Sequence, residues 1–419
     1  MMYQERLKID WLMVGLWAFL VLFGWMNIYA STYNETTAAV FDFSTFHGKQ
    51  LIWIAAAAVI AMVILYSEPR FFSNTAYIIY GVVIALLVLT LFIAITSHGG
   101  KSWIDLGAFR LQPSEFAKFA TALALAKYMS GIGVEWKQTH SKIITLAVIG
   151  IPAALVFLQH DTGSALVFLA FVFPLYREGL SGSIFVIGIA AIALFVLALL
   201  VNKYILLVAL VLLAAAYLFL WLNKRTARDW WHVIAVLACS AIFVFSVDFV
   251  FNQVLESHQR ERIDVLLGKS DDLQGSGYNV NQSKIAIGSG GFIGKGYLNG
   301  TLTKADFVPE QHTDFIFCTV GEEWGWLGSS ILLVVYFFLL YHLIVMAERQ
   351  RSTFARFYGY CVAGILFIHL FVNIGMVIGL VPVIGIPLPF FSYGGSSLLA
   401  FTILIFIFIR QDASKNQLL

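Results

Sequence analysis

The sequence predicts an all-α membrane protein of about twelve transmembrane helices, with one large folded loop outside the membrane. Of its 419 residues, 60% are hydrophobic and 12% are charged, which is about half the charged share of a typical soluble domain. The apolar residues form runs close to ~20 residues long, which is the length that crosses a bilayer core of ~30 Å. One long polar segment, 254–313, interrupts them.

The apolar runs define the predicted helices in order. The first, from Trp11 to Ala30, is long enough for a true span and is followed by no small-residue cleavage site, so it is predicted to stay in the membrane. The run 314–347 contains Gly325 and Gly328 and is predicted to bend or break. The twelve runs are 10–31, 50–67, 76–97, 113–131, 141–159, 161–177, 183–201, 204–222, 230–253, 314–347, 354–380 and 393–411.

The basic residues predict that both termini are cytoplasmic. With the N-terminus inside, fifteen Lys and Arg residues fall in cytoplasmic tails, loops and helix ends, and four fall in short outer loops. This is a positive-inside bias, and it places 254–313 outside the membrane. The net charge of +2 gives no indication of a nucleic acid partner. The three cysteines lie far apart in apolar segments and lack metal-ligand spacing.

The polar segment 254–313 is too long for a passive connector, because unstructured loops of this size are uncommon in compact domains. Its apolar groups predict a folded cap over the helices. The stretch GSGGFIGKG fits neither a P-loop nor a dinucleotide motif, since five residues separate Gly288 from Gly294 and Ile293 occupies a glycine position. Its glycines predict tight turns in which the backbone approaches a ligand or the membrane, or cradles an anion.

Ionisable residues within apolar runs are expensive and therefore indicate function. Glu115 and Lys118 share one helix face after the helix start at Gln112-Pro113, so they are predicted to pair. A structural ion pair and a functional cavity fit the sequence equally well. Asp161, at a tight turn, is predicted to cap the next helix.

Other polar residues in apolar runs carry weaker indications. Asp248 and His369 are interpreted as satisfied structural groups, and either Glu322 or Glu323 is a candidate cap before a helix break. The last outer loop, VPVIGIPLPFFSYGGSS, is predicted to form the rim of an outer cavity, because non-helical backbone at membrane depth needs protein or water around it. A simple turn is the alternative. These features suit an enzyme acting on a lipid-linked polar substrate or a transporter.

Several motifs closely resemble the SEDS family of bacterial shape, elongation, division and sporulation proteins (the FtsW/RodA/SpoVE group). GKGYLNGT is more similar to the elongation branch, RodA, than to the division branch, FtsW. The resemblance covers the chain from the first helix to the last, so a single membrane domain over 1–419 is implied. The other resembling segments are LQPSEFAKFA, QHDTGSALVF, RIDVLLGKSDDLQGSGYNVNQSKIAIGSGG, KADFVPEQHTDFIFCTVGEEWGWLG and FVNIGMVIGLVPVIGIPLPFFSYGGSS.

The resemblance implies a peptidoglycan glycosyltransferase in the bacterial inner membrane. Such an enzyme polymerises lipid II into β-1,4 glycan strands during cell-wall elongation and shape maintenance. Its implied partners are a class B penicillin-binding transpeptidase and other membrane proteins of the elongation complex. A flippase for lipid-linked precursor and a non-catalytic scaffold for the transpeptidase are the alternatives.

The resemblance also implies a set of site residues. Asp272 matches the essential aspartate of a D-P-x-G-x-G-Y pattern, with Leu273 in place of Pro, and is the implied general base. Ser102 stands where the family has Arg, and His160 where it has Pro. A positioned carboxylate base contributes about 10²–10⁴-fold to such a reaction. No cofactor is established, although Mg²⁺ or Mn²⁺ would suit the departing pyrophosphate. The implied substrate-binding or cavity residues are Lys101, Trp103, Glu115, Lys118, Asp161, Arg260, Arg262, Gln282, Ser283, Lys284, Lys295, His312 and Ser392.

The segment 178–228 departs from the family pattern. The family has ten spans, seven of them before the catalytic loop, whereas nine apolar runs precede 254–313 here. One helical hairpin, 183–222, is therefore predicted to be inserted. Its two apolar runs are joined by Asn202-Lys203 and contain no charged residue, so the hairpin is predicted to lie at the periphery. A lipid-facing role and docking of a partner's helix are equally compatible with it.

Overall fold

The computed structural model describes residues 8–33, 42–97, 100–105, 107, 109–221, 226–254, 257–267, 276–304 and 307–415. These residues are mostly helical, as predicted for a polytopic membrane protein. The helices are α1 (Trp11–Ser31), α2 (Phe46–Tyr66), α3 (Pro69–Ile93), α4 (Pro113–Met129), α5 (Thr139–Leu158), α6 (Thr162–Val167), α7 (Val172–Arg177), α8 (Ser183–Leu200), α9 (Lys203–Ala216), α10 (Ala227–Phe249), α11 (Ser257–Leu266), α12 (Ser276–Ser289), α13 (Ile316–Glu348), α14 (Thr353–Val377) and α15 (Gly395–Ala413).

Ten helices within the described residues are long and apolar enough to cross a membrane. Two predicted spans fall outside this group for identifiable reasons. The predicted span 113–131 is α4, which has 17 residues and is buried over most of its length, as expected for a helix inside a bundle. The predicted span 161–177 is α6, a 3₁₀ turn at Phe168–Phe171 and then α7.

The predicted run 76–97 is wrong at its C-terminal end. The helix α3 starts at Pro69 and ends at Ile93, and Ala94 is extended. Residues Ile95–Ser97 form a strand, β1, that pairs antiparallel with β2 (Gly100–Asp105), and β2 pairs with β3 (Arg110–Leu111). An apolar run by itself does not distinguish the end of a helix from a short strand.

The chain divides into two compact units, 1–179 with 278–419, and 180–277. In the first unit, α14 packs against α4, α13 and α15, and α15 packs against α2. The helices α4, α14 and α15 are buried over most of their length and form the core.

The second unit contains the hairpin of α8 and α9 followed by α10. The α8 and α9 helices are joined by Val201 and Asn202, and none of the α8 residues is buried. Asp248 is satisfied, as predicted, because its carboxylate lies 2.8 Å from Lys203 Nζ and accepts a hydrogen bond from Asn252.

The predicted break in α13 occurs at Gly325, which has φ 64° and ψ −161°. This conformation is open to glycine and costly for other residues. It releases backbone groups from the helix ladder, and the glycine-rich stretch satisfies them. Lys295 and Gly296 donate their N–H groups to the carbonyls of Glu322 and Glu323. In return, the N–H groups of Trp326 and Leu327 donate to the carbonyls of Gly291 and Phe292.

The glycines of this stretch are therefore required by close backbone approach to α13. A Cβ at Gly290 would overlap the Gly321 carbonyl oxygen, and one at Gly294 would overlap the Glu323 carbonyl oxygen. The expectation that these turns present free N–H groups to an anion is wrong for Lys295 and Gly296, because their N–H groups are bonded to α13.

We expect Gly294→Ala to lower the free energy of unfolding by roughly 1–3 kcal/mol, because Gly294 has φ +90° and no room for a Cβ. Gly288→Ala is the matched control, since nothing lies within 4 Å of a Cβ at that position and the residue is within α12. Thermal unfolding of the two purified variants in detergent measures the difference. Equal midpoints for the two variants would contradict this account of the stretch.

Candidate active site

The N-terminal turns of α4 carry a buried charged cluster. Lys118 Nζ lies 2.7 Å from Glu115 Oε1, so the predicted pair forms, and both side chains are 2% exposed. His369 of α14 lies 2.9 Å from the same ammonium through its Nε2. The Phe401 ring packs under the ammonium, with its centroid 5.1 Å from Lys118 Nζ. Glu115 Oε2 is buried and has no hydrogen-bond partner among the described residues, so it can accept a hydrogen bond from a bound molecule.

Asp161 lies at the start of α6, beside the same end of α4. Its Oδ1 accepts a hydrogen bond from the Ser164 N–H at 3.0 Å, which confirms the predicted cap. Its Oδ2 accepts from Gln112 Nε2 and from Ser114 Oγ, both at 3.0 Å. Three neutral donors thus hold the carboxylate of Asp161 at the N-terminus of α4.

The segment 378–394 after α14 contains no regular helix or strand and is held by side chains from the bundle. Asn373 Nδ2 donates to the Ile386 carbonyl, and Tyr336 Oη donates to the Pro389 carbonyl. Ser392 is buried, and its Oγ accepts from the Leu388 N–H at 2.9 Å. This proline-rich loop is therefore held by side chains of the helices.

The same loop contacts His312, another predicted site residue. The His312 carbonyl accepts from the Tyr393 N–H at 2.9 Å, and the His312 ring stacks on Phe46 with centroids 4.1 Å apart.

Lys101 and Trp103 lie on β2, where Lys101 is exposed and Trp103 is opposite Ile95. The Lys101 N–H donates to the Gln159 carbonyl. Gln159 precedes Asp161 by two residues in the sequence, so β2 contacts the segment that leads to Asp161.

The described residues of the polar segment in the first unit, 278–304 and 307–313, contact the ends of several helices. Ser283 Oγ donates to the Val377 carbonyl at 3.1 Å, and Lys284 is exposed and lies over Gly379, while Gln282 is half-buried. Tyr297 Oη donates to the Met26 carbonyl, and burial raises the pKa of Tyr297 to about 12.

Lys295 is engaged within this cap. Its Nζ lies 2.7 Å from Glu322 Oε1 and 2.7 Å from Thr301 Oγ1. Glu322 is fully buried and also accepts hydrogen bonds from the backbone N–H groups of Thr301, Leu302 and Thr303. Lys295 thus neutralises a carboxylate that clamps the cap to α13. This contact makes Lys295 a structural ion-pair partner of Glu322.

Asp272, Arg260 and Arg262 are the remaining predicted residues. Asp272 lies outside the described residues, as does its neighbour Asp271. Arg260 and Arg262 belong to α11 of the second unit and are half-buried.

Sequence reasoning missed several members of the cluster. His369 is satisfied, as predicted, because both of its ring nitrogens are hydrogen-bonded, but its isolated position in an apolar run does not indicate that Lys118 is its partner. The pattern around Gln112 predicts only a helix start, although the side chains of Gln112 and Ser114 both donate hydrogen bonds to Asp161. Their signal was present in the QPSE segment, in which polar side chains precede an apolar helix.

Within the described residues, no group of three or more His, Cys, Asp and Glu side chains is placed to hold a metal ion.

The chain matches known proteins along nearly its whole length. The sequence profile of the FtsW/RodA/SpoVE family, described as a cell cycle protein, matches residues 10–223 and 206–417. The peptidoglycan glycosyltransferase MrdB of Escherichia coli K12 is 37% identical over 347 residues, which cover 83% of this chain and 80% of that protein. The peptidoglycan glycosyltransferase RodA of Treponema pallidum is 29% identical over 423 residues, covering 93% and 94%.

Two solved structures share the fold of this chain over nearly its whole length. A chain in a structure on the coordination of polymerisation and crosslinking by a peptidoglycan synthase complex is 25% identical, with a TM-score of 0.71 and coverage of 98% of this chain and 99% of that one. RodA of Thermus thermophilus has the same fold, with a TM-score of 0.63 at 24% identity and the same coverage. This chain belongs to the FtsW/RodA/SpoVE family, which is the SEDS family that its motifs resemble.

Proposed function

We propose that this chain polymerises lipid II into β-1,4-linked glycan strands during cell-wall elongation, in the inner membrane of a bacterium. Its enzyme class is peptidoglycan glycosyltransferase, the activity named for MrdB and for RodA. The observation that carries the proposal is the 37% identity to MrdB over 83% of this chain, within a family match that extends from residue 10 to residue 417.

The proposed reaction is an attack by a sugar hydroxyl on an anomeric carbon that carries a lipid pyrophosphate. Asp272 is the proposed base that takes the hydroxyl proton, because a neutral hydroxyl is a poor nucleophile. A single displacement inverts the anomeric carbon and gives the β link. The pyrophosphate leaves as an anion and needs positive charge, for which Lys101, Arg260 and Arg262 are the proposed groups. A Mg²⁺ or Mn²⁺ ion would supply the same kind of charge.

The buried cluster of α4 is the proposed wall of the substrate cavity. Glu115 Oε2 is an acceptor without a described partner, and the side-chain oxygens of Asp161 are held by neutral donors. Acceptors of this kind suit the hydroxyl and amide donors of a sugar headgroup. Six further residues are proposed to line the substrate cavity: Gln282, Ser283, Lys284, Lys295, His312 and Ser392.

The proposed topology has twelve spans, cytoplasmic termini and the loop 254–313 on the outer face. The excess of Lys and Arg in the loops assigned to the cytoplasm supports it. The headgroups of a lipid-anchored substrate would then meet Asp272 at the outer leaflet, while the helices accommodate the lipid tails.

The hairpin 183–222 is proposed as an insertion into a ten-span core. The two segments matched by the family profile overlap at 206–223, so one helix-long stretch aligns twice. This overlap is expected when extra helices interrupt the family pattern. The absence of buried residues in α8 supports a surface that faces lipid or a partner's membrane helix.

Deleting 183–222 is expected to leave basal polymerisation unchanged, because the two spans contain no group that can transfer protons or bind pyrophosphate. The deletion removes two helices and so keeps the membrane orientation of the rest. Polymerisation of lipid II and co-purification with the cognate transpeptidase are the two measurements. Weaker association would indicate docking, unchanged association would indicate a lipid-facing element, and lost polymerisation in a folded variant would contradict the peripheral placement.

The proposed partner is a class B penicillin-binding transpeptidase, within a complex of elongation proteins. The peptidoglycan synthase complex that contains a chain of the same fold coordinates polymerisation and crosslinking. A polymerase that delivers strands to a crosslinking enzyme would fit this arrangement.

Purified protein in liposomes distinguishes the proposed function from its two rivals. A polymerase converts labelled lipid II into long glycan, whereas a flippase only moves the label between leaflets. A scaffold does neither and raises crosslinking only when the transpeptidase is present. Transbilayer movement without polymer would overturn the proposal.

A further inference from the structure

We infer that His369 is a positioning residue, which fixes the Lys118 ammonium to the proline-rich loop and thereby sets the position of Glu115 in the substrate cavity. The inference rests on the proposed function for its activity readout. The test by thermal unfolding depends only on the contact between His369 and Lys118, and not on the proposed function.

The imidazole of His369 forms hydrogen bonds with a helix and a loop that are far apart in the sequence. Its Nε2 lies 2.9 Å from Lys118 Nζ on α4, and its Nδ1 lies 3.2 Å from the Pro387 carbonyl oxygen in the loop 378–394. The residue is completely buried, and Phe401 packs edge-on against the ring with centroids 4.7 Å apart. No other side-chain hydrogen bond of the described residues joins Lys118 to a second helix.

The chemistry of the two bonds fixes the tautomer. A carbonyl oxygen only accepts, so Nδ1 must carry the proton and donate to Pro387. Lys118 only donates, so Nε2 must be unprotonated and accept. His369 is therefore neutral with its proton on Nδ1, and it complements both neighbours in that single form.

This arrangement defines where the ammonium lies. Glu115 and His369 accept from Lys118 on two sides, and the Phe401 ring packs against it. Because Glu115 is bonded to Lys118 through Oε1, its other oxygen, Oε2, is oriented by the same contact. A shift of the loop at Pro387 would move His369, then Lys118, and then this acceptor. Misplacement of a substrate-positioning group by ~1 Å can cost about 10²-fold in rate.

Two substitutions separate the hydrogen bonds from the shape of the ring. His369→Phe keeps an aromatic ring against Phe401 and removes both bonds. His369→Gln replaces the N–C–N edge of the imidazole with an amide that has one donor and one acceptor joined through one carbon. The amide can therefore donate to Pro387 and accept from Lys118.

We expect His369→Phe to lower the kcat of lipid II polymerisation by about 10-fold to 100-fold, with a smaller change in KM. His369→Gln should recover most of the lost kcat. A His369→Phe enzyme with the wild-type kcat would overturn the inference, and so would equal impairment of the Phe and Gln variants in folded protein.

A second measurement tests the contact without using activity. We expect His369→Phe to lower the thermal midpoint in the wild-type background and to lower it much less in a Lys118→Met background, because the bonded partner is already absent. Additive shifts would overturn the inference even if His369→Phe alone were too unstable for kinetic measurement. Failure of the wild type to polymerise lipid II would overturn the proposed function and leave this stability cycle as the test of the contact.

Discussion

Replacing Asp272 with Asn is expected to abolish glycan polymerisation while leaving the fold intact. The substitution keeps the size and shape of the side chain and removes the carboxylate base. A general base contributes about 10²–10⁴-fold, and loss of this factor would bring turnover close to background. Polymerisation of labelled lipid II by the purified variant, beside its elution profile and thermal midpoint, measures both parts of the prediction.

Asp271→Asn is the matched control, because the two aspartates are adjacent and only Asp272 fits the spacing to Gly275, Gly277 and Tyr278. We expect the Asp271 variant to keep most of its activity. If the Asp271 variant were inactive and the Asp272 variant active, the register of the motif would be wrong. If both were active, the assignment of the base would fail.

The second large effect is expected at the buried ion pair. Lys118→Met leaves the Glu115 carboxylate in a site where it is 2% exposed and has no cation. Removing one member of a buried pair typically costs about 3–5 kcal/mol, because the remaining charge is desolvated and uncompensated. We therefore expect a lower thermal midpoint and loss of polymerisation in Lys118→Met.

The double variant Glu115→Gln with Lys118→Met is its control. It leaves no unpaired charge, so it should be more stable than Lys118→Met alone. Thermal midpoints of the wild type, both single variants and the double variant complete the cycle. A double variant that is less stable than either single variant, with additive shifts, would show that the pair is not coupled. Recovery of stability without recovery of activity would show that the charges serve the substrate.

Local features of this fold were predictable from the sequence. Backbone in lipid must satisfy its own hydrogen bonds, so the apolar runs predicted helices, and ten described helices can cross a membrane. Glu115 and Lys118 are three residues apart and pair on one helix face. Asp161 caps the helix that follows it, and Gly325 breaks α13 as its position in a long run indicated.

Contacts between distant parts of the chain were not predictable in this way. Lys118 and His369 are separated by 251 residues, and neither residue's local pattern indicates the other. The same holds for Ser114 and Asp161, which are separated by 47 residues. The glycine-rich stretch looked like a ligand loop because glycine turns suit both ligands and backbone packing. Its partner is the broken helix α13, which only the folded chain reveals.

The central claim is that this chain makes glycan strands, and the product itself tests it most directly. Wild-type protein and Asp272→Asn, purified in the same way, would be incubated with labelled lipid II, and each product would be separated by size before and after digestion with a muramidase that cleaves β-1,4 links. The account predicts long polymer from the wild type, its collapse to disaccharide units after digestion, and no polymer from Asp272→Asn. Unconverted lipid II with the wild type, or equal polymer from both preparations, would contradict it.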